Sequence, residues 1–150
     1  KHQAGQLAKV TLKKVRTRLP KLEYDFVNSP DLAQTLVVTC VMMGVPFYFK
    51  GLSSLRIKET DRIEALKKEM AKLGFVLREM AEGELSWDGM RCRPTGEAID
   101  TYEDHRMALA FAPVALVNKE IKINQPGVVS KSYPQFWNDL IQSGFEINET

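Results

Sequence analysis

The stretch LRIKETDR at residues 55–62 joins an apolar segment to an amphipathic one. The preceding segment, VPFYFKGL at residues 45–52, is rich in aromatic and apolar side chains and predicts a strand. Residues 58–73 predict a helix, because apolar side chains recur at intervals of three and four residues, at Ile63, Leu66, Met70 and Leu73. Gly74 marks the end of this helix. A strand that leads directly into a helix indicates a fold with mixed α and β structure.

The junction between this strand and helix carries five ionisable side chains, Arg56, Lys58, Glu59, Asp61 and Arg62. The start of a helix directs backbone N–H groups and a positive dipole end toward any nearby anion. Cations and carboxylates at such a point could bind phosphate and move protons. Spacing alone favours the simpler interpretation of a solvated helix start, capped by one of its own side chains and lined by pairs of opposite charge.

The segments on either side extend this pattern into a β-α-β-α-β-β unit over residues 22–90. Residues 21–27 alternate with period two, as in a strand, and residues 32–43 are apolar nearly all round, as in a helix buried against a sheet. Residues 75–80 and 84–87 predict a hairpin after the amphipathic helix.

Residues 91–150 predict a second, incomplete unit of the same kind. The expected elements are strands at 98–102, 120–124 and 145–147 and helices at 104–117 and within 131–143. Repeated units of this order imply mixed sheets covered by helices, an α/β or α+β fold that forms part of a larger domain.

The two units share an internal register. Asp31 precedes Lys58 by 27 residues, and Asp104 precedes Lys131 by the same interval. Repeated units place equivalent positions at equivalent ends of the structure, so we expect charged loops from both units to gather on one side.

Two groups of residues could carry chemistry. The first group is Asp31, Lys58, Glu59 and Arg62, and the second is His105, Arg106 and Lys131. Arginine binds carboxylate and phosphate bidentately, lysine supplies a point charge, and a pair of acids can act as base and acid. Position alone favours simpler roles, in which Asp31 caps a helix, Asp104 to Arg106 form a surface helix start, and Asp61 is structural.

Length and composition bound the class of protein. The 150 residues fit one domain, 44% of them are hydrophobic, and no apolar run approaches the roughly 20 residues of a membrane span. No signal-peptide pattern is present, and the first residue is not methionine, so we expect a piece of a longer chain.

Cys40 and Cys92 form no metal-ligand pattern, and Cys40 lies in an apolar run, which fits a reducing, cytoplasmic setting.

The net charge of +2 hides a basic beginning, because residues 1–22 contain seven cations and no acid. Such a region could bind nucleic acid. The alternation of Val15, Thr17 and Leu19 with basic residues favours a strand with one solvated face, with no nucleic-acid partner.

Four motifs give the sequence a family resemblance. The segment LRIKETDRIEALKKEMAKLG resembles the corresponding motif of 5-enolpyruvylshikimate-3-phosphate (EPSP) synthases, and PDLAQT, DHRMALA and KSYPQFW occur in the family's order across residues 22–150. The resemblance implies transfer of the enolpyruvyl group of phosphoenolpyruvate to the 5-hydroxyl of shikimate 3-phosphate, with release of phosphate. It implies no metal and no organic cofactor, and it implies binding of glyphosate-type inhibitors. A membrane partner is not expected, because the sequence has no long apolar run.

The resemblance also implies roles for individual residues. Asp31 matches the aspartate that contacts the shikimate hydroxyls and acts as base, Lys58 matches a lysine that binds shikimate 3-phosphate, and Glu59 matches a glutamate of the proton transfer. The residues matched to the phosphoenolpyruvate site are Arg62, His105, Arg106 and Lys131. Ser54 stands where some members have an asparagine that touches substrate.

The chain departs from the family in length. Family enzymes have two domains, each of three β-α-β-α-β-β units, with the active site between them. We therefore expect a C-terminal fragment with half of a site, whose partner is the missing N-terminal portion and whose turnover alone is negligible. The alternatives are a UDP-N-acetylglucosamine enolpyruvyl transferase, which shares this chemistry, and a small anion- or RNA-binding α/β module.

Overall fold

The computed structural model describes residues 11, 13, 19–58 and 60–148. The basic strand expected before residue 19 falls almost wholly outside this part of the chain. Within the described residues, no helix is both long and apolar enough to cross a membrane.

In the part of the chain that the structure describes, four short strands form a mixed sheet in the order β1-β2-β4-β3. They are β1 (Leu22–Asp25), β2 (Phe47–Lys50), β3 (Arg78–Ala81) and β4 (Glu84–Trp87). β1 pairs with β2 in parallel, whereas β4 pairs with both β2 and β3 in antiparallel register. One face of the sheet is apolar because alternate residues point the same way, so Phe47 and Phe49 lie opposite Trp87 and Leu85.

Five α-helices of the described residues accompany the sheet: α1 (Ala33–Met42), α2 (Arg62–Lys72), α3 (His105–Phe111), α4 (Ala115–Asn118) and α5 (Phe136–Gln142). The order β1-α1-β2-α2-β3-β4 confirms the β-α-β-α-β-β arrangement predicted for the first unit. Cys40 on α1 is buried as expected, and this burial raises the pKa of its thiol.

The predicted start of the second helix at residue 58 is wrong. Residues Ser53–Ile57 form a 3-10 helix, Lys58 has an extended backbone, and α2 begins at Arg62. The reason is the Asp61 side chain, whose Oδ1 accepts hydrogen bonds from the N–H groups of Ile63 and Glu64 at 3.1 Å each. This capping contact favours a helix start directly after Asp61.

The second unit contains less regular structure than predicted. Its expected strands at 98–102 and 120–124 reduce to a single parallel bridge between Ile99 and Ile123, and 145–147 forms no strand. The expected helix at 104–117 is divided by a 3-10 segment, Ala112–Val114, at Pro113, which has no N–H to donate.

Both units nevertheless share one hydrophobic core. Ile99, Met107 and Phe111 from the second unit pack in the same cluster as Phe49 and Leu66 from the first. A smaller cluster of Ala108, Ala112, Val129 and Phe136 attaches the 3-10 helix Pro126–Lys131 and α5 to α3. The loops that carry the predicted site residues are therefore fixed to a common core.

Candidate functional site

Among the described residues, three cations surround the carboxylate of Asp31. Asp31 lies in the 3-10 helix Pro30–Leu32, directly before α1, and its side chain is 40% exposed. Its Oδ1 lies 2.8 Å from Nη1 of Arg62 and 3.8 Å from Nζ of Lys58, and its Oδ2 lies 3.2 Å from Nη2 of Arg106. Asp31 is therefore the centre of a charged cluster and does not cap α1, whose N-cap residue is Leu32.

Arg62 is held in place by a buried carboxylate. Its side chain is 2% exposed, and its Nε and Nη2 donate to Oδ2 and Oδ1 of Asp104 at 2.6 and 3.3 Å. Asp104 is completely buried, so the prediction of a surface helix start at this residue is wrong. Its Oδ1 also accepts from the N–H of Arg106 at 2.9 Å and caps α3.

Arg106 contacts both the side chain and the main chain of Asp31. Besides its contact with the carboxylate, it donates from Nη1 to the backbone oxygen of Asp31 at 3.0 Å. The side chains of Arg106 and Lys58 are 32% and 36% exposed, whereas Arg62 is buried. Arg106 and Lys58 are thus the two cations of the cluster that an anion in solution can reach most easily.

A second group of charges supports the loop that leads to Lys58. Nη1 of Arg56 lies 2.6 Å from Oδ2 of Asp61, and Nη2 lies 2.5 Å from Glu79 on β3. The contacts with Glu79 and Asp61 raise the pKa of Arg56 above its ordinary range. The prediction that Asp61 is structural is confirmed, since it binds both helix-terminal N–H groups and an arginine.

The turn between β3 and β4 lies against the start of the same loop. The N–H of Leu52 donates to the backbone oxygen of Gly83 at 3.0 Å. Gly83 has φ +71°, and a Cβ there would lie 2.6 Å from the backbone nitrogen of Ser53. Only glycine fits at this position without displacing the 3-10 helix Ser53–Ile57.

The structure brings together four of the predicted site residues, Asp31, Lys58, Arg62 and Arg106. Among the described residues, no polar contact joins Ser54, His105 or Lys131 to Asp31. Ser54 is exposed in its 3-10 helix, His105 is the first residue of α3, and Lys131 ends the 3-10 helix Pro126–Lys131. Glu59 lies outside the described residues.

The two lysines of the repeated 27-residue interval occupy similar positions in the structure, but the two aspartates differ in burial. Lys58 directly follows a 3-10 helix and Lys131 is the last residue of another, and each of these 3-10 helices precedes an α-helix. Asp31 is partly exposed, however, whereas Asp104 is completely buried. Both aspartates contact Arg62, but Asp31 does so from a partly exposed position and Asp104 from the interior.

The site contains a residue that the sequence analysis missed. Gln34 on α1 is completely buried, and its Nε2 lies 3.4 Å from Oδ2 of Asp104 and 3.2 Å from Sδ of Met107. In the sequence, this residue could have been noticed because Gln34 is the one amide side chain in the largely apolar segment that follows Asp31. The described residues contain no group of three or more histidine, cysteine or acidic side chains arranged to hold a metal ion.

Comparison with known proteins identifies a family model that matches most of the chain. The sequence profile described as EPSP synthase (3-phosphoshikimate 1-carboxyvinyltransferase) matches residues 5–140. The chain belongs to the EPSP synthase family. The family resemblance predicted from the four motifs is confirmed, and so is the mixed α/β fold.

Individual relatives carry the same description. The chain is 58% identical over 139 residues to a 3-phosphoshikimate 1-carboxyvinyltransferase of Bacteroides fragilis, covering 92% of this chain and 34% of the relative. It is 36% identical over 121 residues to one of Burkholderia ambifaria and 36% identical over 126 residues to one of Vibrio atlanticus, covering 81% of this chain and 28% of the relative in each case. The chain thus spans about a third of the length of these EPSP synthases.

Proposed function

We propose that this chain supplies one part of a 3-phosphoshikimate 1-carboxyvinyltransferase. The complete enzyme would transfer the enolpyruvyl group of phosphoenolpyruvate to the 5-hydroxyl of shikimate 3-phosphate and release phosphate. The observation that carries the proposal is the Asp31 carboxylate, 40% exposed and within 4 Å of Lys58, Arg62 and Arg106. A reactive carboxylate among cations suits a reaction between two anionic substrates.

Asp31 is the proposed base. A base must reach the hydroxyl proton, and the side chain of Asp31 is 40% exposed. Removal of the proton from the 5-hydroxyl lets its oxygen attack C2 of phosphoenolpyruvate, while a proton adds at C3. Glu59 is the proposed participant in that second transfer.

The cations have a complementary role. Lys58 would bind shikimate 3-phosphate, with Ser54 as a further polar contact, and Arg106 would hold phosphoenolpyruvate together with Arg62, His105 and Lys131. Because Arg62 is 2% exposed, it would act on phosphoenolpyruvate chiefly through its positive charge, while its contact with Asp31 holds that carboxylate in place. Fixed cations of this kind stabilise negative charge as the tetrahedral intermediate collapses and phosphate leaves.

The other side of the site would come from the rest of the enzyme. The chain covers 34% of the Bacteroides fragilis relative, so most of that relative's residues have no counterpart here. Alone, the chain should bind its substrates weakly and turn them over negligibly, since catalysis requires groups positioned around the whole reacting centre.

A chimera tests the proposal. The matching segment of the Bacteroides fragilis relative would be replaced by this chain, and phosphate release would be measured with phosphoenolpyruvate and shikimate 3-phosphate. We expect turnover by the chimera and none by the 150-residue chain alone. A chimera that folds, by circular dichroism and thermal unfolding, but releases no phosphate would refute the proposal.

The alternative acceptor substrate, a UDP-sugar, is tested with the 150-residue chain. Nuclear magnetic resonance titrations with shikimate 3-phosphate and with UDP-N-acetylglucosamine would follow the amides of Lys58 and Arg106. Larger shifts at equal concentration are expected with shikimate 3-phosphate. Larger shifts with the UDP-sugar would favour the other enolpyruvyl transferase.

A further inference from the structure

The segment directly before Asp104 has an unusual backbone conformation. Tyr102 and Glu103 have φ values of 53° and 57°, and the N–H of Asp104 donates to the backbone oxygen of Thr101 at 2.8 Å. Residues other than glycine seldom adopt such φ values. Two successive residues keep them only when surrounding contacts hold the backbone in place.

A buried carboxylate supplies those contacts. Glu69 on α2 is completely buried, and its Oε1 accepts from the hydroxyl of Tyr102 at 2.6 Å. Its Oε2 accepts from the N–H of Asp100 at 3.0 Å and lies 2.8 Å from Nζ of Lys72. Glu69 therefore binds the chain on both sides of Thr101, at the entry to the turn.

The residues that leave this turn form the site. Asp104 holds Arg62, and Arg106 binds the main chain and side chain of Asp31. The direction in which α3 begins thus decides whether these two residues reach their partners. Among the described residues, no hydrogen bond or ion pair joins Glu69 or Tyr102 to Asp31, Lys58 or Arg106.

We propose that Glu69 and Tyr102 are positioning residues, which hold the left-handed turn at residues 101–104 and thereby direct Arg106 toward Asp31. The part of this proposal that concerns catalysis rests on the proposed function. The part that concerns the turn does not, and it is tested separately.

The first experiment is amide hydrogen exchange on the 150-residue chain with Tyr102→Phe. Loss of the hydroxyl should speed exchange of the Asp104 and Arg106 amides about tenfold, the effect of one lost hydrogen bond to a charged group. The amides of Ile63 and Glu64, bonded to Asp61, should not change relative to the parent chain. Tyr133→Phe is the matched control, because that hydroxyl also lies 2.6 Å from a carboxylate, Asp139, outside the site.

A second substitution separates positioning from simple loss of a contact. Glycine adopts positive φ readily, so Glu103→Gly added to Tyr102→Phe should restore slow exchange at Arg106 although the hydroxyl is still missing. Unchanged exchange at Arg106 in Tyr102→Phe, or accelerated exchange that Glu103→Gly does not reverse, would overturn the proposal.

The catalytic part is measured in the chimera. Tyr102→Phe should raise the KM for phosphoenolpyruvate about tenfold with a smaller change in kcat, and Glu103→Gly should reverse the effect, whereas Tyr133→Phe should change neither constant. An active chimera whose KM is unaffected by Tyr102→Phe would overturn the positioning role. An inactive parent chimera would count against the proposed function alone, since the exchange experiment decides the turn independently.

Discussion

Nε of Arg62 lies 2.6 Å from Oδ2 of Asp104, and the two side chains are 2% and 0% exposed. This ion pair joins the start of α2 to the start of α3. Asp104 has further donors in the N–H of Arg106 and the amide of Gln34, so its charge is well compensated. Burial of two charges carries a large desolvation penalty, and the pair is therefore better understood as fixing geometry than as a source of stability.

Removal of the negative charge from this pair should be strongly destabilising. Asp104→Asn places a neutral amide beside buried Arg62, which keeps its contact with Asp31, so we expect a loss of about 3 kcal/mol in the free energy of unfolding, measured with urea. Asp88→Asn is the control, because the Arg78–Asp88 pair is about half exposed and should contribute less than about 1 kcal/mol. Equal effects of the two substitutions would contradict the structural role of Asp104.

Asp31 should matter for catalysis more than for stability. In the chimera, Asp31→Asn should lower kcat about a hundredfold or more, the typical effect of a general base. Because its side chain is 40% exposed, the unfolding free energy should change little by comparison. Asp88→Asn again serves as control, and an Asp31→Asn chimera of normal kcat would exclude Asp31 as the base.

The close contact at Gly83 should tolerate no added methyl group. Gly83→Ala places a Cβ 2.6 Å from the backbone nitrogen of Ser53 at a positive φ, so we expect a loss of more than about 1 kcal/mol in unfolding free energy. Gly127→Ala is the matched control, since no atom lies within 4 Å of its added Cβ, and its effect should stay within about 0.5 kcal/mol. Similar urea midpoints for the two variants would show that the turn can move away from the loop.

Tyr102 should contribute a pH-dependent part of stability at alkaline pH. Burial, followed by the hydrogen bond to Glu69, raises the pKa of Tyr102 above its ordinary value of 10. A raised pKa means that the folded state keeps the proton when the unfolded state releases it, so this contribution is complete below pH 10 and declines above it. The difference in unfolding free energy between the parent chain and Tyr102→Phe should therefore be constant from pH 8 to about 10 and fall at higher pH. A constant difference throughout would contradict the raised pKa.

The sequence predicted the first unit better than the second. Aromatic alternation in β2 and the 3-4-3 spacing of α2 are strong local signals, and both elements were found, although α2 begins four residues later than expected. The strands expected near Ile99 and Ile123 were reduced to one bridge, because a local alternation of side chains cannot supply the neighbouring strands that a sheet requires.

The site was predicted from spacing and family resemblance, but its internal order was not. Charges at Asp31, Lys58, Arg62 and Arg106 were expected to lie on one side, and they do lie together. The burial of Asp104 and the roles of Gln34 and Glu69 depend on contacts between residues about 30 to 70 positions apart. Such contacts leave no periodic signal in the chain.

The contacts of Arg62 also affect how the chain is expected to fold. Among the described residues, Asp31 and Asp104 are carboxylate partners of Arg62, and they lie 31 residues before it and 42 residues after it. These contacts close long loops, which favours their formation late, after the more local helices and the hairpin have formed. Interactions absent from the transition state act mainly on the unfolding rate, so Asp104→Asn should speed unfolding while leaving the refolding rate nearly unchanged. The same ion pair that orients the site would then also slow unfolding and so give the folded state kinetic stability.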